Sequence, residues 1–136
     1  MFGNFQQSQI RIEVAADGQT IGDCLLKTAK LRQWLWPQSL SNNLPDTLTP
    51  SLTFTSKLGI VEVEHLVETA EDNCLRLLLS KGIDGYHEWY WGDGWIQSSL
   101  EGISLLPLNL GQTLSLLRLR QYLDRTTNKQ TDSSNS

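Results

Sequence analysis

The chain has 136 residues, a net charge of −4 and a hydrophobic fraction of 39%. This length fits one domain with a single core, since a chain of this size buries roughly two-thirds of its unfolded surface. A nucleic-acid surface needs a basic stripe, and the only basic cluster is Arg118, Arg120 and Arg125 on a helix-like segment, so nucleic acid is not an expected partner.

The opening residues, MFGNFQQSQI, carry no basic n-region and no long apolar run, which is unlike a secretory signal. No stretch approaches the ~20 apolar residues of a membrane span. Cys24 and Cys74 are too few and too far apart for a disulfide framework and read as buried free thiols. A cytoplasmic location is the expectation. Residues 1–8 are expected to be flexible.

Residues 9–16, QIRIEVAA, alternate strictly, with Ile10, Ile12 and Val14 on one face, and predict a half-buried strand. Asp17 and Gly18 break it, and Asp17 suits the N-cap of a helix. From Gln19 to Leu35 the apolar residues recur at helical spacing, with Thr28 marking a joint between two short helices. Pro37 ends that segment, because proline cannot continue a helix. Residues 38–51, QSLSNNLPDTLTPS, form a long polar loop, read as a lid or a mouth, or else as a disordered connection.

Strands then dominate. Leu52, Phe54, Ser56 and Leu58 alternate with polar residues, and Val61, Val63, His65 and Val67 share a face opposite Glu62 and Glu64. Residues 74–80, CLRLLLS, make the next strand. Tyr86 to Trp91 is an aromatic strand, joined through Gly92-Asp93-Gly94 to a last strand running to Ile103, and short turns imply antiparallel neighbours. A C-terminal helix comes after Pro107, with Asn109 and Gln112 spaced as a capping box. It carries one ridge of Leu110, Leu114 and Leu117 and a second of Leu116, Leu119 and Leu123. Two ridges predict a helix contacted from two sides. The polar segment 126–136 is expected to be disordered. The domain itself is predicted to span residues 9–125, and its segregated strands and helices define an α+β class.

This order, with these residues, resembles the START-like (SRPBCC) superfamily, the helix-grip fold of birch-pollen-type allergens, polyketide cyclases/dehydrases and activators of heat-shock ATPases. The strand QIRIEVAA leading into a helix with Ile21 and Leu25, the run Leu31-Arg32-Gln33-Trp34-Leu35, and the aromatic hairpin EWYWGDGWIQSSLEG carry the resemblance. Gly22 stands where that family usually has an aromatic residue, which predicts a looser core or a larger cavity. The resemblance implies a curved antiparallel sheet wrapped around the C-terminal helix, with an internal cavity that takes a small hydrophobic, lipid-like or aromatic molecule. The residues expected to line it are Trp34, Phe54, Val63, His65, Tyr86, Trp89, Trp91, Trp95, Leu114 and Leu117.

Among these, His65 is the candidate for chemistry, since an inward imidazole can act as a base or orient a ligand, or else be a satisfied core residue. His87 and Glu88 are adjacent on a strand and so point apart. Two histidines and two distant cysteines give no zinc-like spacing, and neither metal nor cofactor is expected. No complete catalytic constellation is present. Ser98, Ser99 and Ser104 lack the context of a nucleophile, and Glu62, Glu64 and Glu68 read as a wet sheet face. A cyclase/dehydrase-like enzyme remains the first alternative to ligand carriage. The second is an interaction module, binding a partner protein or a second copy through an outward aromatic face, and it turns on which way Trp89 and Trp91 point.

Overall fold

The computed structural model describes residues 3–35, 38–104 and 107–134. In chain order the elements are β1 (Asn4–Glu13), α1 (Gly18–Leu26), α2 (Thr28–Trp34), β2 (Ser39–Leu40), β3 (Thr53–Leu58), β4 (Val61–Glu71), β5 (Cys74–Lys81), β6 (Asp84–Gly92), β7 (Trp95–Ser104) and α3 (Leu108–Ser134). The helix stop expected at Pro37 lies outside the described residues. The strands form one antiparallel sheet in the order β1-β7-β6-β5-β4-β3-β2. Alternation along each strand puts one set of side chains into the core, where the helices lie, and the other into solvent.

Two local features mark the sheet. The β4–β5 register shifts between Val67 and Thr69, a bulge of the kind that kinks a strand. Gly85 faces Gly102 across β6 and β7, and a Cβ at Gly85 would stand 1.9 Å from the Glu101 carbonyl oxygen. The two backbones approach more closely there than any side chain allows.

Asp17 caps α1 as expected, its Oδ1 accepting from Thr20 N–H at 2.8 Å. The Gly18 N–H donates to Asp93 Oδ1 at 2.7 Å, which ties the helix start to the β6–β7 hairpin. Lys27 takes an extended conformation and separates α1 from α2, one residue before the predicted joint. Trp34 Nε1–H donates to the Cys24 carbonyl at 2.8 Å and locks the two helices together. Both cysteines are buried free thiols.

Five expectations change. β1 begins at Asn4 rather than in residues 9–16, because residues 4–8 pair with 100–104 and hold α3. Gln6 Oε1 accepts from Leu108 N–H at 3.0 Å, and Ser8 Oγ accepts from Asn109 Nδ2 at 2.8 Å. The loop 38–51 is a wall and not a free lid. Thr28 N–H and Oγ1–H bond the carbonyls of Asp46 and Pro45, the Leu48 N–H bonds the Leu26 carbonyl, and Leu48 is buried.

The capping box does not form, since Gln112 turns into the sheet and Gln6 caps the helix start instead. The leucine ridges are unequal. Leu116, Leu119 and Leu123 are at most 1% exposed, whereas Leu110, Leu114 and Leu117 are 44–57% exposed. The helix packs on β1, β7 and α2 through one face, so its second ridge is not gripped. α3 also continues through residues 126–134, within the segment whose polarity predicts disorder. A helix carries its own backbone hydrogen bonds without apolar anchors.

Candidate functional site

The inner face of the sheet is set by strand parity. Phe54 and Ser56 on β3, Val63 and His65 on β4, Leu75, Leu77 and Leu79 on β5, His87 and Trp89 on β6, and Ser98 and Leu100 on β7 all point toward the helices. Between this face and the helices lies a cavity of about 210 Å³. α1 and α2 supply Leu25, Leu31 and Trp34 to its wall, and the loop supplies Leu40 and Leu48. α3 closes the other side with Leu108, Leu110, Gly111, Gln112, Leu114 and Ser115. The lining is mostly leucine and aromatic surface with a few polar groups, the usual make-up of a small-molecule site.

Those polar groups form two clusters, separated by the leucines of β5. At β3–β4, His65 Nε2 lies 2.8 Å from Ser56 Oγ. The His65 ring stacks on Phe54 at 4.6 Å, with the planes 5° apart, and its Nδ1 is buried without a hydrogen-bond partner. At β6–β7, His87 Nε2 lies 2.7 Å from Ser98 Oγ. Gln112 Nε2 donates to the Ser98 carbonyl at 2.8 Å, to Ser98 Oγ at 3.0 Å and to the Ser8 carbonyl at 3.3 Å.

Burial pushes the His65 pKa down to about 4. Burial, and then the charge of nearby His65, push His87 down to about 3. The physical reason is that an apolar cavity cannot solvate imidazolium. Both rings are therefore neutral near pH 7. Among the described residues, no three His, Cys, Asp or Glu side chains gather as a metal site.

Six of the ten residues expected at the cavity line it: Trp34, Phe54, Val63, His65, Trp89 and Leu114. Four do not. Tyr86 is on the outer face, where its O–H donates to Glu101 Oε2 at 2.6 Å and the Arg76 guanidinium lies 4.3 Å above its ring. Trp95 is also outward, beneath Arg11. Leu117 points to solvent on the exposed ridge.

Trp91 is inward and 2% exposed but packs under α1, away from the cavity. There it explains Gly22, because a Cβ at Gly22 would stand 3.1 Å from Trp91 Nε1. The indole fills the space that a larger residue would occupy, so Gly22 neither enlarges the cavity nor loosens the core. Trp89, at 4% exposure, meets Trp34 edge-on at 6.1 Å and His87 at 4.6 Å.

Ser56, His87 and Gln112 line the cavity and Ser98 bonds His87 and Gln112, and sequence reasoning selected none of the four. His87 carried a usable signal, since it shares strand parity with Trp89. Gln112 carried a misleading one, the spacing from Asn109 that mimics a capping box. On the outer face, Arg76 bonds Glu88 Oε2 at 2.8 Å and pairs with Glu68 at 3.5 Å, while Lys81 pairs with Glu62 and Glu64. This is a solvated charge network.

A curved seven-stranded antiparallel sheet packed on a long C-terminal helix, with a cavity between them, defines an α+β protein of the helix-grip architecture. Solved structures share this fold. The chain is similar to the Mll3558 protein of Rhizobium loti (TM-score 0.69, 9% identity, 90% of this chain and 100% of that one). It is similar also to protein CV1439 of Chromobacterium violaceum (TM-score 0.68, 13% identity, 86% and 96%). A third is DynU16, a protein in the dynemicin biosynthetic locus (TM-score 0.65, 16% identity, 87% of this chain), of which the chain spans about half the length, 47%. At these identities the likeness is one of fold. No protein-family model and no curated protein matches the chain. Among the described residues no helix is long and apolar enough to cross a membrane.

Proposed function

We propose that this protein binds a small hydrophobic molecule in the cavity between the sheet and α3. The observation that carries this reading is the cavity itself: about 210 Å³, walled by leucines, Phe54, Trp34 and Trp89, and furnished with two neutral imidazoles. A cavity of roughly 150 Å³ lined by apolar side chains holds benzene. The space here suits a compact molecule of one or two rings, or an aliphatic of similar bulk, better than a full-length acyl chain. Trp34 and Trp89 lie in the wall, so occupancy should change tryptophan fluorescence.

The test is a titration with compact hydrophobic probes, read by tryptophan emission and by thermal denaturation. Saturable quenching and a rising Tm are expected, because a ligand at 100 times its Kd stabilises the native state by about 2.7 kcal/mol. If no member of a broad aromatic and aliphatic set shifts either signal, the reading fails.

A cyclase/dehydrase-like activity is the second reading, favoured by two histidines lining one cavity, His65 beside Ser56 and His87 beside the buried Ser98. It predicts that His65→Ala abolishes turnover of a bound substrate while the fold survives. The interaction-module reading loses its main support, since Trp89 and Trp91 are buried and the outward Tyr86 is engaged by Arg76 and Glu101.

A further inference from the structure

The two histidine clusters differ in how their protons are placed. At Gln112 the amide orientation is decided by its surroundings. The nitrogen faces two backbone carbonyls, Ser98 O at 2.8 Å and Ser8 O at 3.3 Å, which can only accept. The flipped amide would set oxygen against oxygen at both positions. Gln112 Oε1 is accordingly the buried atom left without a partner.

The same nitrogen also donates to Ser98 Oγ at 3.0 Å. Ser98 is 0% exposed, so its hydroxyl hydrogen cannot reach solvent. Among the described residues the acceptor at hand is His87 Nε2, 2.7 Å away. A buried hydroxyl left without an acceptor is costly, so Ser98 donates and His87 Nε2 accepts. A neutral imidazole whose Nε2 accepts carries its proton on Nδ1. No hydrogen bond among the described residues engages that Nδ1, and His87 lines the cavity.

The Ser56–His65 pair has no such anchor. No described group donates to Ser56 Oγ apart from His65 itself, and each His65 tautomer leaves one buried hydrogen unpaired, the Nδ1–H or the Ser56 O–H, so nothing comparable fixes that ring's proton.

We propose that His87 is the cavity's fixed hydrogen-bond donor, presenting Nδ1–H to the ligand, and that Gln112, acting through Ser98, is the positioning residue that holds this tautomer. The ligand class implied is a compact apolar molecule carrying a strong acceptor, a carbonyl above all. The ligand class rests on the cavity-binding reading above, whereas the tautomer is a property of the empty protein. The relay runs from Gln112 N–H to Ser98 O–H to His87, each bond polarising the next.

The experiment has two arms on the full chain. In the first, long-range ¹H–¹⁵N spectra near neutral pH read the His87 tautomer directly. Nδ1–H is expected in the unmodified protein, with loss of its dominance in Ser98→Ala and in Gln112→Met. An Nε2–H tautomer in the unmodified protein, or an unchanged tautomer in a folded Ser98→Ala variant, overturns the relay. Should Gln112→Met not fold, the spectra of the unmodified protein and Ser98→Ala decide the matter.

In the second arm, calorimetry compares 1-indanone with indane, which share a bicyclic frame and differ in the carbonyl. A preference of about tenfold for the ketone is expected from one buried hydrogen bond, falling to parity in His87→Phe. Equal binding of the two probes sinks the ligand class and leaves cavity binding standing. Binding of neither overturns the ligand class, and the cavity reading falls with it only if the broad probe set also fails to bind. A ketone preference that survives in His87→Phe assigns the donor elsewhere and overturns the role of His87.

Discussion

Acid should unfold this protein through its cavity, well above the pH at which its carboxylates titrate. His65 and His87 fall from an ordinary pKa of 6.5 to about 4 and about 3 in the folded state. The sign comes from proton counting. Below pH 6.5 the unfolded chain binds a proton at each histidine that the folded chain refuses, so stability is fully present above 6.5 and declines as pH falls toward 4 and then 3. Between about pH 7.5 and about pH 5, each site costs about 2 kcal/mol, or about 4 kcal/mol together. That is a large part of the 5–15 kcal/mol typical of a domain. Among the described residues, no Asp or Glu lines the cavity to offset the charge.

The assay is chemical denaturation at a series of pH values, with and without His65→Gln. The expected result is a fall of about 4 kcal/mol in the unmodified protein and about half that slope in the variant. Stability unchanged over this range, or an NMR titration placing both histidines near pH 6.5, would refute the claim that the cavity desolvates them.

Two packing predictions rest on close approaches. Gly22→Leu should destabilise the fold by about 1–3 kcal/mol, because its Cβ starts 3.1 Å from the Trp91 indole. Adding Trp91→Ala should cost less than the two single changes combined, as read in a double-mutant cycle by thermal denaturation. Gly85→Ala should cost more than about 3 kcal/mol, since its Cβ meets the Glu101 carbonyl at 1.9 Å; a near-native Tm would show that β6 and β7 can spread.

A periodic pattern carries only what is local to its own element. Alternation along QIRIEVAA, along Val61–Val67 and along Tyr86–Trp91 sorts side chains into two faces, because strand geometry makes that sorting local. The strand–helix–helix–strand–helix order, the Asp17 cap and the break near Thr28 are local for the same reason. Local chemistry thus determined the α+β class and placed Val63 and His65 on a common side.

Which face is inner is not local. Trp89 and Trp91 share parity with His87, yet only the curvature of the sheet and the seat of α1 decide that all three turn inward and that Trp91 lies outside the cavity. The leucine ridges of α3 are equal in sequence. The position of β1, β7 and α2 buries one and leaves the other about half exposed, with Leu110 and Leu114 at the cavity. Gln112 is the sharpest case. Its relation to Asn109 is three residues along a helix, but its hydrogen bonds run to Ser98 and Ser8, on the last and first strands. The cavity is made by such long-range pairings. Periodicity assigns a side chain to a face of its own element, and only the packed elements decide what that face meets.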